Sequence, residues 1–381
     1  MPPPTVDVAQ VHRVLIIKLS AIGDILHALP VSAALGESFP HWEITWAVEE
    51  PFLTLLEGNP YLKRILTFPK LRSKTLTSSS LRKDYLARLR ALREHNFDLV
   101  LDLQGLTKSA IIAYASGAKT RLGYHWLREA ARWIETPIPR RPESVHIVDQ
   151  YLDVARHLGA NTDKVRFPFF LSSEDRAYVN EILRAEGLGE GTPFVTLNPA
   201  SALAIKQWGA EHYAKLIDAL AQEGVRSVLV TADREVAGAV ERSANAPFVN
   251  LVGRTSLKQL GAVLERCAVH ICGDTGSGHL ATALERPVIS LVGPTDPDRA
   301  CPYGQRENVI VHREVCDPRC DWHHCAFTSP KCMEAITLTE VKAKVLQVMK
   351  TEANSALESS IAEKRTVPSP TWGEGTAPEP K

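Results

Sequence analysis

The sequence lacks the features that would place it in a membrane or among secreted, disulfide-bonded proteins. No apolar run reaches the roughly 18 residues that a membrane-spanning helix needs. The opening stretch, MPPPTVDVAQ, does not have the charged-then-apolar pattern of a secretory signal. The cysteines number seven, and an odd count without a signal argues against a disulfide framework. We therefore expect a cytoplasmic protein without a transmembrane segment.

An excess of charge of either sign is also missing. The chain has 44 Lys and Arg against 44 Asp and Glu, so its overall charge gives no reason to expect a nucleic-acid partner. The distribution is less even, because ten Lys or Arg stand against one acid between Tyr61 and Arg93. A second basic stretch runs from Lys119 to Arg141. Either stretch alone is equally consistent with a solvated surface, but two in one half favour an anionic partner there.

The length and the order of apolar runs indicate two α/β domains in tandem. A chain of 381 residues is too long for one ordinary core. Apolar runs alternate with helix-like stretches, which predicts parallel sheets with crossover helices. We predict disordered tails at 1–12 and 351–381 and domains at 13–165 and 166–350. The predicted strands are Arg13–Lys18, Glu43–Val48, Arg64–Phe68, Asp98–Leu103, Phe194–Leu197, Ser227–Val230, Val269–Cys272 and Val288–Val292. The predicted helices include Asp24–Glu37, Leu81–Glu94, Thr107–Ser116, Val145–Leu158, Ala210–Gln222, Arg234–Ser243, Ser256–Arg266, Ser277–Leu284 and Leu338–Lys350.

A carboxylate stands where the first buried strand meets its helix, in KLSAIGDILH (18–27). A helix N-terminus favours an anion, so Asp24 has two interpretations. It is either a cap or a base at the rim of an active site. Ligands of open α/β sheets bind outside the carboxyl ends of the strands, which is where Asp24 lies.

The stretch with the most features of a ligand-binding loop is CGDTGSGHLATALERPVISLVGPTDP (272–297). A predicted strand ends in small and hydroxyl residues, and a helix begins at once, so backbone N–H groups can approach a phosphate. The P-loop pattern is not met, because His279 and Leu280 stand where Lys and Ser or Thr are required. The dinucleotide fingerprint is absent too, so a ligand that carries a diphosphate fits better. A tight turn without a ligand is the alternative.

Other strand-end loops add charged or polar groups. Lys206, in NPASALAIKQW, is placed to reach a phosphate or is a plain surface lysine. Glu235, in TADRE, is placed to accept ribose hydroxyls or belongs to the first turn of a helix. Gln104 and Lys108, in LDLQGLTKSA, should lie near Asp24 if neighbouring strands supply neighbouring loops.

Two groups of potential metal ligands are weaker candidates. Asp296 and Asp298 form a D-x-D, but Pro297 between them favours a rigid turn. Late cysteines accompany His323 and His324 with gaps that are not those of paired CxxC motifs, so a thiol cluster is preferred over a zinc site. These cysteines are Cys316, Cys320, Cys325 and Cys332.

Three stretches together resemble glycosyltransferase family 9, the ADP-heptose:lipopolysaccharide heptosyltransferases: RVLIIKLSAIGDILHALP, LDLQGLTKSA and GDTGSGHLATALERPVISLVGPTDP. The resemblance covers about residues 13 to 350 and is greatest to the heptosyltransferase I branch. It implies a GT-B fold, with two Rossmann-like domains facing across a cleft. It also implies inverting, metal-independent transfer of heptose from ADP-heptose to the Kdo of Kdo-lipid A, without a cofactor, at the cytoplasmic face of the inner membrane.

The resemblance also implies roles for individual residues. Asp24 would be the general base, and Lys206 would support the donor phosphates. The implied donor-site residues are Ser201, Glu235, Asp274, Thr275, Gly276 and His279. The implied acceptor-site residues are Gly23, Gln104, Lys108 and Arg128. The alternatives are another acceptor within the same family and a non-catalytic protein that binds nucleotide sugars.

Overall fold

A computed structural model describes residues 5–70, 78–321 and 324–366, with the side chains of 353 and 355–366 left out. Over these residues the chain forms two parallel sheets of six strands each. The first sheet contains β1 Arg13–Ile17, β2 Glu43–Glu49, β3 Arg64–Phe68, β4 Leu99–Asp102, β5 Thr120–Gly123 and β6 Thr136–Pro137. The second contains β7 Phe194–Asn198, β8 Arg226–Leu229, β9 Val249–Asn250, β10 Val269–Gly273, β11 Val288–Val292 and β12 Val309–Val311.

Helices connect the strands and cover the sheets. Their bounds are α1 Ile22–Ser38, α2 Ser79–Ala91, α3 Thr107–Ala115, α4 Ala131–Ile134, α5 Ile147–His157, α6 Ser173–Ala185, α7 Ala210–Ala221, α8 Arg234–Ser243, α9 Leu257–Arg266, α10 Gly276–Ala283, α11 Pro297–Ala300, α12 Lys331–Glu334 and α13 Leu338–Thr366. No helix in these described ranges is both long and apolar enough to cross a membrane.

Both sheets have the same strand order. The first reads β3-β2-β1-β4-β5-β6, and the second reads β9-β8-β7-β10-β11-β12 in the equivalent direction. This is the Rossmann order, in which the direction of winding reverses between the first and fourth strands of each sheet. The expected pair of Rossmann-like α/β domains is confirmed. The two reversal points, β1/β4 and β7/β10, are therefore the places to look for ligands.

The central strands are apolar on both faces because helices cover both faces of each sheet. All residues of β1 after Arg13 are buried, and so are all residues of β10 and β11. Residues 163–172, which contain no helix or strand, connect the two sheets. Ser172 then caps α6, accepting from the N–H of Asp175, as the Ser-Ser-Glu-Asp sequence predicted. The domain boundary at 165/166 stays a prediction.

Both tails are more ordered than expected. Val11 is buried and Trp42 donates to the Val8 carbonyl, because apolar residues at 6, 8 and 11 pack against the first domain. The last helix does not end at Lys350 but runs to Thr366. Residues 352–366 contain three Ala, three Glu and no Pro or Gly, which is compatible with a helix. Residues 1–4 and 367–381 of the expected tails lie outside the described residues.

Candidate active site

The carboxyl ends of the strands at the two reversal points carry the polar residues of the site. Asp24 follows β1, and Gln104 follows β4 in the first domain. Asn198 ends β7, and Asp274 follows β10 in the second domain. The N-terminus of α1 packs against that of α10, so the two sets of loops meet across the cleft.

Asp24 lies in the first turn of α1 and is exposed. Its Oδ2 accepts a long hydrogen bond, 3.4 Å, from the backbone N–H of Ala21, the N-cap residue. Asp24 thus acts partly as a cap, which is one of its two interpretations. Because this single contact is long and the side chain is exposed, the carboxylate is also accessible to a substrate hydroxyl.

Gln104 and Lys108 support the loop before Asp24. The Oε1 of Gln104 accepts from the backbone N–H groups of Leu19 and Ser20, at 3.1 and 3.2 Å. The Nζ of Lys108 donates to Ser20 Oγ at 2.9 Å and forms an ion pair with the buried Glu49 at 2.6 Å. Both residues lie near Asp24, as neighbouring loops should. Their expected contacts with the acceptor stay predictions.

Two buried carboxyl groups, those of Asp102 and Glu135, lie next to the loop that contains Gln104. Asp102 accepts from the N–H groups of Gln104 and Gly105, at 2.7 and 2.9 Å. Burial raises the pKa of Asp102, and burial together with Asp102 raises the pKa of Glu135 to about 11. Three of the four carboxyl oxygens have no other partner. A proton on Glu135, donated to Asp102, accounts for all of these observations.

Asp274 is the centre of the second domain's half of the site. Its Oδ2 accepts from Lys206 Nζ and from Thr295 Oγ1, both at 2.8 Å, and the Nε2 of His279 lies 3.9 Å from Oδ1. Burial alone would raise the pKa of Asp274. The neighbouring His279 and the charge of Lys206 outweigh burial and hold this pKa well below its usual range. The carboxylate is therefore charged, and it orients Lys206.

Thr275 and Gly276 begin α10, which is eight residues long. A hydroxyl network orders this helix start: Ser277 Oγ contacts Thr275 Oγ1 at 3.0 Å and accepts from Asn198 Nδ2 at 2.8 Å. His270 Nε2 lies 3.0 Å from the same Ser277 oxygen, and burial lowers the pKa of His270 to about 3. A neutral, fixed network thus positions the backbone N–H groups that could receive a phosphate.

Glycines allow the two helix starts to approach closely. A Cβ at Gly23 would lie 2.8 Å from the His279 ring, and one at Gly276 would lie 2.9 Å from Ile22. Within the same contact, His27 Nε2 and His279 Nδ1 are 3.1 Å apart, with both rings buried. Gly23, an expected acceptor contact, therefore packs on the donor half of the cleft.

The remaining expected site residues are more peripheral. Glu235 is exposed in the first turn of α8, after β8. Ser201 accepts through its carbonyl from Gln207 Nε2 at 3.0 Å. Arg128 is exposed, and its guanidinium lies 4.9 Å from the centre of the Trp126 ring. Their proposed ligand contacts stay predictions.

The two weaker metal candidates have other roles. Asp296 caps α11, and Asp298 forms a 2.6 Å ion pair with Arg306, as a rigid turn would allow. The four late cysteines line one small cavity as free thiols. Over the described ranges, no three His, Cys, Asp or Glu side chains are grouped so that they could hold a metal ion. His323 lies outside those ranges.

Sequence reasoning missed three residues of the cleft. His27 lies on the buried face of α1, where a histidine among apolar residues is typical of a core position. Thr295 and Arg299 follow β11 in GPTDPDR, where the D-x-D of Asp296 and Asp298 is the more conspicuous pattern. The position of Thr295 and Arg299 could have been predicted, because residues after β11 lie at the same edge of the sheet as those after β10.

Comparison with known proteins agrees with this geometry. The model of glycosyltransferase family 9 (heptosyltransferase) matches residues 86–326. Lipopolysaccharide heptosyltransferase 1 of Escherichia coli K12 is 29% identical over 299 residues, covering 78% of this chain and 92% of that protein. Lipopolysaccharide core heptosyltransferase OpsX of Haemophilus influenzae is 27% identical, covering 77% and 83%.

Solved structures agree as well. The E. coli heptosyltransferase WaaC, solved with ADP-2-deoxy-2-fluoro heptose, superposes with a TM-score of 0.69 at 25% identity, covering 88% of this chain and 99% of that one. The expected GT-B arrangement is thereby confirmed. The family match, which spans more than half of the sequence, shows that this chain is a glycosyltransferase and belongs to family 9.

Proposed function

We propose that this enzyme transfers a heptose from ADP-heptose to a Kdo residue of the lipopolysaccharide inner core, with inversion and with Asp24 as the general base. One observation carries the proposal most directly. An exposed carboxylate, Asp24, lies in the first turn of α1, and the start of α1 packs against the start of α10 at Gly23 and Gly276. A base and an anion-binding helix start on opposite walls of a cleft are what transfer to an alcohol requires.

The donor is assigned to the second domain. A departing diphosphate gains negative charge, and Lys206 with the N–H groups that begin α10 can stabilise that charge. Asp274 holds Lys206 in place at 2.8 Å. A structural relative was solved with an ADP-heptose analogue, which supports ADP-heptose as the donor class. Because fixed positive charge is present, we propose that transfer does not need a metal.

The acceptor is assigned to the first domain. Arg128 is exposed there and is placed to meet an acid group. One relative is named a lipopolysaccharide core heptosyltransferase and another a lipopolysaccharide heptosyltransferase. The basic residues that the sequence concentrates in this half suit an acidic glycan at a membrane surface. We accordingly propose a peripheral location on the cytoplasmic face of the inner membrane.

A panel of donors and acceptors tests the proposal. ADP-heptose should raise the melting temperature of the protein, and NAD should not. ADP should be released from ADP-heptose only when deacylated Kdo-lipid A is added, and exhaustive chelation should leave the rate unchanged. Release with a different core glycan alone would identify another acceptor within the family. Binding without release on any glycan would indicate a protein that only binds nucleotide sugars, and a strict Mg²⁺ requirement would overturn the metal-free step.

A further inference from the structure

Two arginines from different domains share one tryptophan in the cleft. Arg128 belongs to the first domain and Arg299 to α11 of the second. Their guanidinium carbons lie 4.9 and 5.0 Å from the centre of the Trp126 ring. Trp126 keeps 45% of its surface exposed, so the stack lies at the open side of the cleft. The contact is a cation–π interaction, which is weak at exposed sites.

This arrangement concentrates positive charge with little to balance it. Both guanidinium groups lie within 5.0 Å of the same ring centre, and the ring carries no net charge that could neutralise them. The nearby acids of the same loop are already used, because Asp298 forms an ion pair with Arg306 and Asp296 caps α11. Over the described residues no ion pair joins a carboxylate to Arg128 or Arg299.

Arg299 also acts on groups of the first domain. Burial lowers the pKa of His146 to about 4, and the charges of His279 and Arg299 contribute in the same direction. Burial likewise lowers the pKa of His125, with Arg140 and Arg299 contributing. The positive charge of Arg299 therefore acts on residues of the first domain, although Arg299 belongs to the second.

We propose that Arg299 and Arg128 together hold one anionic group of the acceptor, a carboxylate or a phosphate, with Trp126 as the surface on which both guanidiniums rest. This proposal rests on the proposed function, because it concerns the acceptor of that reaction. It makes acceptor recognition depend on a side chain of the nucleotide-sugar domain. The acceptor would then bind fully only when the two domains are as close as they are in this structure.

Steady-state kinetics of Arg299→Gln test the proposal. Loss of a charge-assisted, bidentate contact should raise the KM for the acceptor by about 10-fold or more, while the KM for the donor stays within a factor of ~2. Arg299→Lys should recover only part of the loss, because a lysine keeps the charge but not the planar fork. Arg132→Gln is the matched control: Arg132 is an exposed arginine that also lies over a tryptophan ring, that of Trp133 at 4.8 Å, and its loss should leave both KM values as in wild type.

Modified acceptors identify the anion. If Arg299 holds a carboxylate, wild type and Arg299→Gln should use a carboxyl-reduced acceptor equally poorly, whereas a dephosphorylated acceptor would still separate them. The reverse pattern would assign a phosphate. An equal rise in the donor KM, or no change in either KM, would overturn the proposal.

A binding readout separates this proposal from the proposed function. Free Kdo or inorganic phosphate should change the tryptophan fluorescence of wild type, whereas the same titration of Trp126→Phe should lack the part of that change that Trp126 supplies. Arg299→Gln should weaken that response. If wild type transfers heptose to no core glycan, the proposed function fails, while the Arg299 site still stands or falls by this titration.

Discussion

His27 and His279 belong to different domains, yet their ring nitrogens form a hydrogen bond of 3.1 Å. Both rings are buried where α1 meets α10. His279 also lies beside Asp274, so a continuous polar path runs from the interior of the first domain to the carboxylate that orients Lys206. The relative position of base and donor site thus depends on two imidazoles that share one hydrogen.

Acid should destabilise the protein through these and similar histidines. Burial lowers the pKa of His27 well below its usual value, that of His146 to about 4 and that of His270 to about 3. Below pH 6.5 the unfolded chain binds protons at these positions and the folded chain does not, so stability falls as the pH falls. Each such histidine contributes about 1.4 kcal/mol of lost stability for each pH unit in that range.

Denaturant unfolding at pH 7.5, 6 and 5.5 measures this slope. His27→Gln keeps a polar side chain but removes one titrating ring, so its free energy of unfolding should fall less steeply with acid than that of wild type. His312, which is hydrogen-bonded to Glu340 and Glu314 and has a raised pKa, provides the control: His312→Gln should not flatten the slope. Identical slopes for wild type and His27→Gln would show that His27 takes up a proton equally in the folded and unfolded chains, which would contradict its lowered pKa.

The Lys206–Asp274 pair should have separable structural and functional roles. Lys206→Ala leaves a largely buried carboxylate without its cation, so stability should fall by about 2 kcal/mol. The affinity for ADP should fall by about 10- to 100-fold, because a phosphate contact is lost. The double variant Lys206→Ala/Asp274→Asn removes both charges, so it should recover stability without recovering ADP affinity.

Thermal melts and ADP titrations of the two single variants and the double variant decide between the roles. Recovery of both quantities in the double variant would mean that Lys206 serves only to neutralise Asp274. Unchanged ADP affinity in Lys206→Ala would remove Lys206 from the donor site.

Glu135 should behave as a neutral acid. Glu135→Gln keeps the shape and one hydrogen-bond donor to Asp102, whereas Glu135→Ala leaves a buried oxygen without a partner and should cost about 2 to 3 kcal/mol. The pKa of Glu135 is raised to about 11, so folding retains a proton that the unfolded chain has lost above pH 4.5. The contribution of this pair to the free energy of unfolding therefore declines as the pH rises. The free energy of unfolding of Glu135→Gln, relative to that of wild type, should increase between pH 6 and 8.5. A constant difference across that range would mean that the pair does not share a proton.

Much of the fold could be predicted because its signals are local. Buried strands appear as continuous apolar runs, and Ser172 and Ser256 mark helix starts by capping, so the eight predicted strands and most helices lie within a few residues of their predicted bounds. The short strands β5, β6, β9 and β12, at or next to a sheet edge, were missed, because two to four residues carry no periodic pattern.

The candidate site was predictable only in part. Loops after β1, β4, β7 and β10 were expected to carry the site, since ligands of open α/β sheets bind outside the carboxyl ends of the strands. Contacts between individual residues of the two domains were not predicted. His27 contacts His279, and Arg299 contacts Trp126. Each partner is more than 100 positions away in the sequence, and nothing in the local sequence indicates it.

The general base is tested most directly by comparing wild type with Asp24→Asn. The asparagine oxygen can still accept from the Ala21 N–H, so the helix start and the melting temperature should be preserved. Acceptor-dependent ADP release from ADP-heptose with deacylated Kdo-lipid A should fall by on the order of 10³-fold, while ADP affinity stays as in wild type. Rate and ADP affinity that fall together, or a rate that does not fall, would contradict the assignment of Asp24 as the base.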